Sequence, residues 1–302
     1  MKSLIARQQS YRDRQFYNEH VKAGISRNVK LHDAIDNPAS SAAACLNVLG
    51  YLNQNPGFIQ PFFHSFGLEI EEVIGFPSGV DFGGEVYDDR GPIVFEWIGP
   101  RNSPINEKGG ARGYLKTSVD AFMLARVNGK VSQVLIEWKF TETYEGGNFL
   151  HRFGGLRGVE RLRRYADILA RQRSENFPFD FDAEDGRGLA DFSYEPLYQL
   201  LRTTLLARET TGMLLGEHRI EDYFVLHLAH SENTTLLNVG RKHLRYCPGL
   251  AHVGGGMNLH QLWTSLLSAQ ERGHFASGYW NQALPVLEDA SNYLQERYGA
   301  QA

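Results

Sequence analysis

The segment SVDAFMLARVNGKVSQVLIEWKF, residues 118–140, decides the fold. It contains two apolar runs separated by Asn128-Gly129. This dipeptide between two apolar strands is the strongest short-range signal of a β-hairpin. With Asn128-Gly129 as a two-residue turn, Val127 pairs with Lys130, and the register of the whole hairpin follows from that pair.

This register brings three charged side chains together. Asp120 on the first strand lies opposite Glu137 on the second, and directly opposed residues have Cβ atoms about 4.5–5.5 Å apart. Side chains alternate along a strand, so Glu137 and Lys139 share one face. The hairpin therefore predicts that two carboxylates and one ammonium converge on one patch of the sheet.

Two opposed carboxylates need a compensating cation, because like charges destabilise a cross-strand pair. Lys139 is one such cation. A divalent ion such as Mg²⁺ is another, since it binds one or two carboxylates and keeps waters and phosphate oxygens as further ligands. An ion held there can polarise a phosphoryl oxygen, which is chemistry suited to phosphodiester hydrolysis. The alternative is a surface salt bridge without functional meaning.

Periodic patterns on both sides of the hairpin predict an α/β protein. Apolar residues at helical spacing and short apolar runs bounded by Gly and Pro predict helices at 40–52, 154–173 and 194–210 and strands at 68–76, 93–98 and 223–228. Beyond residue 256 the sequence alternates helical patterns. We expect one α/β body with helical additions rather than two domains.

The spacing of the charged residues resembles the core motif of the PD-(D/E)XK nuclease superfamily. Asp120 is followed after a gap by Glu137-Trp138-Lys139, and the helix SSAAACLNVLGYL, the strand exit IEWKFTE and the later YQLLR helix occur in matching order. The resemblance implies a restriction-endonuclease-like mixed β-sheet core flanked by helices, in the order αβββαβ. It covers residues 38–230, with an N-terminal helical extension at 1–37 and a mainly helical C-terminal extension at 231–302 that packs on the core.

The resemblance also implies roles for single residues. Asp120, Glu137 and Lys139 are the candidate catalytic residues, and Asp120, Glu137 and the Trp138 carbonyl are candidate ligands of Mg²⁺, for which Mn²⁺ is a substitute. Glu96 is the best candidate for a further acidic ligand, with Glu85 and Glu69 as weaker choices. The sequence departs from the superfamily pattern at Val119, where a proline often stands.

Arginines cluster after the hairpin. Residues 151–173 contain seven arginines but only two acids, which is the charge pattern expected of contact with phosphates. A solvated helix face that pairs with the acids at 180–191 is the alternative. The candidate nucleic-acid-binding residues are Arg112, Lys116, Arg157, Arg161, Arg164, Gln199 and Arg202.

The overall composition sets limits on the partner. The chain has 31 basic and 35 acidic side chains, a net charge of −4, so any positive field that attracts a polyanion must be local. We find no secretory signal and no membrane-spanning stretch and expect a cytoplasmic protein. The predicted function is a metal-dependent nuclease that acts on nucleic acid, with DNA as the expected substrate. A homodimer is one of the oligomeric states that the sequence leaves open.

Two other functions compete with this prediction. The first is a catalytically inactive restriction-endonuclease-like module with a nucleic-acid-binding or regulatory role. A two-carboxylate hydrolase of sugars is disfavoured, because a lysine two residues after the glutamate has no evident role in that scheme.

Overall fold

The hairpin is the centre of the fold. The computed structural model describes residues 2–9, 35, 37–77, 91–107, 116–181, 186–253 and 256–300. Strands β3 (Val119–Val127) and β4 (Lys130–Lys139) pair antiparallel from Val127–Lys130 to Ala121–Ile136, which confirms the predicted register. Asn128 and Gly129 have φ of 52° and 73°, the left-handed conformation that a tight hairpin turn requires at both central positions.

The described residues form one six-stranded mixed sheet around this hairpin. Strands β1 (Ile70–Val73) and β2 (Ile93–Trp97) both pair antiparallel with the outer edge of β3, each along a different part of it. On the other side, β7 (Asp222–Ala229) runs parallel to β4, and β10 (Phe275–Tyr279) runs parallel to β7. Two short hairpin-like pairs lie outside this sheet: β5 (Leu214–Leu215) with β6 (His218–Arg219), and β8 (Asn238–Val239) with β9 (Met257–Asn258).

Helices cover both faces of the sheet. Their bounds are α1 (Lys2–Gln8), α2 (Ser41–Gln54), α3 (Ile59–His64), α4 (Gly147–Leu150), α5 (Gly155–Arg171), α6 (Glu195–Thr210), α7 (Thr234–Leu237), α8 (Leu259–Leu266) and α9 (Ser291–Tyr298). Short 3₁₀ turns lie between them, among them Trp280–Gln282 and Leu284–Ala290. Within the described residues, none of the helices has the length and apolar character needed to cross a membrane.

The alternation along β4 divides the core into two layers. Leu135 packs with residues of α5, α6 and α8, whereas Ile136 and Trp138 pack with residues of α2, α3 and α9. Each layer is a continuous cluster of buried apolar side chains. Glu137 and Lys139 alternate with Trp138, so they lie on the α5–α6 side of the sheet.

The predicted helices and strands are present with small shifts at their ends. Helix α2 begins after Ser40, whose side chain caps the helix by accepting a hydrogen bond from Ala43 N at 3.3 Å. The mixed sheet flanked by helices confirms the predicted α/β class. The more specific restriction-endonuclease arrangement stays a prediction.

The sequence patterns did not reveal β10, which joins the C-terminal part of the chain to the sheet. Directly after this strand, the Trp280 ring stacks on Trp138 with centroids 4.5 Å apart, and its Nε1 donates to the Lys139 carbonyl at 3.0 Å. Both rings are buried. The segment 275–280 therefore supports the end of β4 at which Glu137 and Lys139 lie.

We predict that Trp280→Ala lowers the free energy of unfolding by about 3–5 kcal/mol, because it removes a fully buried ring and leaves a cavity beside Trp138. Urea denaturation of the purified protein measures this change. The matched control is Leu156→Ala on α5, where the side chain is 89% exposed, and its expected effect is within about 0.5 kcal/mol. Equal effects of the two substitutions would contradict this role of Trp280.

Candidate active site

The three charged residues of the hairpin meet as predicted. Asp120 is the second residue of β3, and its Oδ2 accepts a hydrogen bond from the backbone N of Trp138 at 2.7 Å. The Lys139 Nζ lies 3.4 Å from the same Asp120 oxygen and 3.5 Å from Glu137 Oε2. The ammonium therefore bridges two carboxylates, one from each strand of the hairpin.

This cluster is not a surface salt bridge. The side chain of Glu137 is fully buried, that of Lys139 is 4% exposed, and that of Asp120 is 30% exposed. Charged side chains are almost never fully buried unless they are paired. The cluster is thus closed on the Glu137 side and open to solvent at Asp120.

Burial changes the proton affinity of Glu137. Loss of hydration, with a contribution from the Asp120 charge, raises the Glu137 pKa to about 7, although Lys139 and a hydrogen bond from Thr203 oppose the shift. Thr203 lies on α6, and its Oγ1 donates to Glu137 Oε1 at 2.6 Å. Both oxygens of this carboxylate thus face a donor from the protein.

Lys139 keeps its charge in spite of burial. Removal from water lowers the pKa of the ammonium, but the attraction of Asp120, Glu137 and Glu142 outweighs this effect and the net pKa lies well above its usual value. A buried lysine that stays protonated is a hydrogen-bond donor with a permanent positive charge. Strongly shifted groups that lie together in this way are typical of functional sites.

Glu96 lies next to this cluster in the sheet. It falls between the pairs Phe95–Ala121 and Trp97–Val119 and is therefore opposite Asp120. Its backbone has φ of 54°, an uncommon conformation for a residue other than glycine. Ser118 Oγ donates to Glu96 Oε2 at 2.6 Å, so the carboxylate is held at the edge of the hairpin.

The oxygens of Asp120 and Glu137 suit a hard cation. Mg²⁺ is bound in proteins through one or two carboxylates with waters as the other ligands, and this pair supplies such a set. The Trp138 carbonyl, the third predicted ligand, accepts a hydrogen bond from Ser41 Oγ at 3.2 Å. Within the described residues, no three side chains of His, Cys, Asp or Glu are grouped to hold a metal on their own.

The weaker candidates for an acidic ligand lie elsewhere. Glu69 forms a surface ion pair with His64 at 2.7 Å. Glu85 is outside the described residues.

The predicted nucleic-acid-binding residues occupy different environments. Arg112 lies outside the described residues, and Lys116 is buried, with its Nζ donating to the Arg101 carbonyl at 3.2 Å. On α5, Arg157 is exposed and Arg164 lies 5.9 Å from the centre of the Tyr165 ring.

Arg161 on α5 and Arg202 on α6 come together at one tyrosine. Both guanidinium groups lie over the Tyr198 ring, at 5.5 Å and 4.9 Å from its centre. Gln199 on α6 is half-buried and has no hydrogen-bond partner in the part of the chain that the structure describes. Among the described residues, no ion pair joins the arginines at 152–173 to Asp180 or Asp191. The acids at 182–185 lie outside the described residues, so the alternative of a helix face paired with the acids at 180–191 stays a prediction.

Sequence reasoning missed two groups that adjoin the site. Thr203 is four residues after Gln199 on α6, so helical spacing could have identified it as a residue facing the sheet. Glu195 pairs with Arg152 at 2.5 Å. These two residues are far apart in the sequence, and no local pattern predicts that they form an ion pair.

The raised pKa of Glu137 predicts a pH dependence of stability. The folded-state pKa of about 7 exceeds the ordinary value of 4.5, so the folded protein holds this proton more tightly than the unfolded chain. The resulting stability is complete below about pH 4.5 and is lost as pH rises through about 7, by about 3 kcal/mol in total.

We therefore expect chelator-treated wild-type protein to lose stability relative to Glu137→Gln between these pH values, because glutamine mimics the protonated acid. Urea denaturation across this range measures the difference. Parallel pH profiles of the two proteins would contradict the shifted pKa.

Comparison with known families identifies the chain. A family model described as "Restriction Endonuclease associating with ARP" matches residues 3–299. Searches of curated proteins and of solved structures gave no match. The description of the family indicates nuclease activity, which agrees with a buried acid–lysine cluster on a mixed sheet. Because the match spans nearly the whole chain, the protein belongs to this family of restriction endonucleases associating with ARP.

Proposed function

We propose that the protein is a metal-dependent nuclease of the PD-(D/E)XK type that hydrolyses phosphodiester bonds of DNA. The observation that carries this proposal is the Lys139 ammonium, which lies 3.4 Å from Asp120 and 3.5 Å from Glu137 in a buried cluster. The sheet order, with an antiparallel hairpin followed by a helix and a parallel strand, supports the restriction-endonuclease-like arrangement.

Asp120 and Glu137 would hold Mg²⁺, or Mn²⁺ in its place. Asp120 offers the accessible carboxylate, while Glu137 is oriented by Thr203 from the helix side. When bound, the cation supplies a Lewis acid that polarises a phosphoryl oxygen. Glu96, held by Ser118, lies opposite Asp120 in the sheet but is not grouped with Asp120 and Glu137, so the proposed cation is held by two carboxylates.

Lys139 acts on the nucleophile in this proposal. Its ammonium donates hydrogen bonds only, so it can hold the oxygen of the attacking water and orient one lone pair toward phosphorus. The same positive charge offsets the negative charge that develops on the phosphoryl oxygens as the bond to the attacking oxygen forms and the bond to the leaving oxygen breaks. The proton that the water loses balances the proton that the leaving oxygen takes up. Its carbonyl is fixed by Trp280 Nε1 and His230 N, both at 3.0 Å, which limits movement of the residue.

A second candidate function is nucleic-acid binding without turnover. The observation that favours it is the full burial of Glu137, whose two oxygens already face Thr203 and Lys139. A cation could reach this carboxylate only if one of these contacts lengthened. In such a module the acid–lysine cluster would serve the stability of the hairpin rather than catalysis.

We predict that the purified protein cleaves DNA with Mg²⁺ or Mn²⁺ and that EDTA abolishes cleavage. Asp120→Asn and Lys139→Ala should each lower the rate by at least about 100-fold, because each removes a group that acts in the transition state. The measurement is a time course of cleavage on gels, with thermal unfolding of every variant to confirm the fold.

Lys130→Ala is the matched control, since Lys130 begins the strand that Lys139 ends and its side chain is 56% exposed. We expect wild-type cleavage rates from it. Salt-sensitive DNA binding by the wild-type protein, with no products under either ion, would instead support the binding module.

A further inference from the structure

Three arginine side chains surround one tyrosine ring beside the candidate active site. The guanidinium carbons of Arg152, Arg161 and Arg202 lie 5.3, 5.5 and 4.9 Å from the centre of the Tyr198 ring. They come from the segment before α5, from α5 and from α6, so the fold gathers them from separate elements. We call these three residues the Tyr198 arginine cluster.

The cluster has fewer acidic partners than cations. Arg152 pairs with Glu195 at 2.5 Å. Glu107 attracts Arg202 electrostatically, but its two oxygens accept hydrogen bonds from Thr117 at 2.5 and 2.7 Å. Glu137, on which the charge of Arg202 also acts, pairs with Lys139 in the acid–lysine cluster. The three guanidinium groups and the two remaining carboxylates, Glu195 and Glu107, therefore leave one positive charge in excess.

Arg202 carries the least satisfied of these groups. Its Nε is buried and has no hydrogen-bond partner in the described parts of the chain. Unpartnered buried donors are costly, and the charge of a guanidinium increases that cost. Arg161 donates a hydrogen bond to the Arg152 carbonyl at 2.7 Å, but burial and the nearby charge of Arg152 lower its pKa. An anion placed among these groups would relieve both costs.

The cluster adjoins the acid–lysine site. Arg202 is followed in α6 by Thr203, which donates to Glu137 Oε1 at 2.6 Å. The charge of Arg202 acts on Glu137, and Glu195 lies near enough to Lys139 to be affected by its charge. A ligand seated on the cluster would therefore lie beside the carboxylates that the proposed function assigns to catalysis.

Guanidinium chemistry identifies the class of ligand. The planar fork of arginine matches phosphate oxygens in bidentate geometry, and stacking on an aromatic ring fixes the fork before the ligand arrives. An internal phosphodiester carries one negative charge, which equals the excess positive charge of the cluster. A terminal phosphate carries more charge than the cluster offers.

We propose that Arg152, Arg161 and Arg202, arranged around Tyr198, bind an internal phosphodiester of the nucleic-acid strand next to the one that is cut. This inference rests on the proposed function, because it takes nucleic acid as the substrate. It assigns Arg152, Tyr198 and Glu195 to substrate positioning, where sequence patterns pointed only to Arg161 and Arg202.

The test is equilibrium binding in EDTA, which separates binding from cleavage. The probes are a short DNA of one sequence, single-stranded and as a duplex, with 5′-hydroxyl or 5′-phosphate ends. Fluorescence anisotropy over a series of salt concentrations gives the affinity and its salt dependence. Arg161→Gln and Arg202→Gln should each weaken binding about tenfold and reduce the slope of log K against log salt by about one.

Two further variants keep the test informative. Arg202→Lys keeps the charge but loses the planar fork, so we expect weaker binding with an unchanged salt slope. Arg219→Gln is the control, because Arg219 is exposed and lies before the start of β7, at the opposite end of the sheet from Glu137. It should bind like the wild type. If Arg202→Gln does not fold, Arg161→Gln and Arg202→Lys still provide the test.

The possible failures are distinguishable. Wild-type affinity and slope in both glutamine variants would overturn the phosphate subsite while leaving the nuclease proposal intact. An effect seen only with 5′-phosphate ends would overturn the assignment to an internal phosphodiester. Absence of any DNA binding by the wild-type protein would overturn the substrate class itself. The expected binding losses without cleavage under Mg²⁺ would support the subsite and contradict catalysis.

Discussion

A protonated lysine buried between two carboxylates is the interaction on which the rest of this structure depends. Breaking a buried ion pair leaves an uncompensated charge and costs about 3–5 kcal/mol, so the partners must be held in place from every side. The protein does so with backbone and side-chain donors. Trp138 N holds Asp120, Thr203 Oγ1 holds Glu137, and Trp280 Nε1 holds the carbonyl of Lys139.

The two faces of β4 have different roles in holding the charged cluster. On one face, Trp138 packs on Trp280 and holds the strand in position against the C-terminal part of the chain. On the other face, Glu137 and Lys139 carry the charges. An apolar residue between two charged ones thus anchors the strand without competing for the same space. Because β10 and Trp280 come from the C-terminal part of the chain, the geometry of the charged cluster depends on residues far away in sequence.

The sequence was sufficient for features that depend on local geometry. Asn128-Gly129 sets the register of the hairpin, and the register alone brings Asp120 to Glu137 and Lys139. By contrast, β10 has the sequence FASGY, in which small residues hide the strand pattern, and it pairs in parallel with a strand about 50 residues earlier. The partners Thr203 and Glu195 were also missed, because contacts between a helix and a distant strand follow from packing rather than from spacing.

The positions of the arginines in the structure bear more on polyanion binding than the net charge of −4 does. Helix α5 carries two kinds of arginine. Arg157 and Arg163 are exposed, and screening by salt limits what such charges contribute to binding. Arg161 is partly withdrawn from water, where a charge interacts more strongly with an anion that displaces the remaining solvent. The proposed phosphate subsite is therefore compatible with a mildly acidic net charge, because its partly buried guanidinium groups act on an anion at short range, whereas the surface charge of the opposite sign is diffuse.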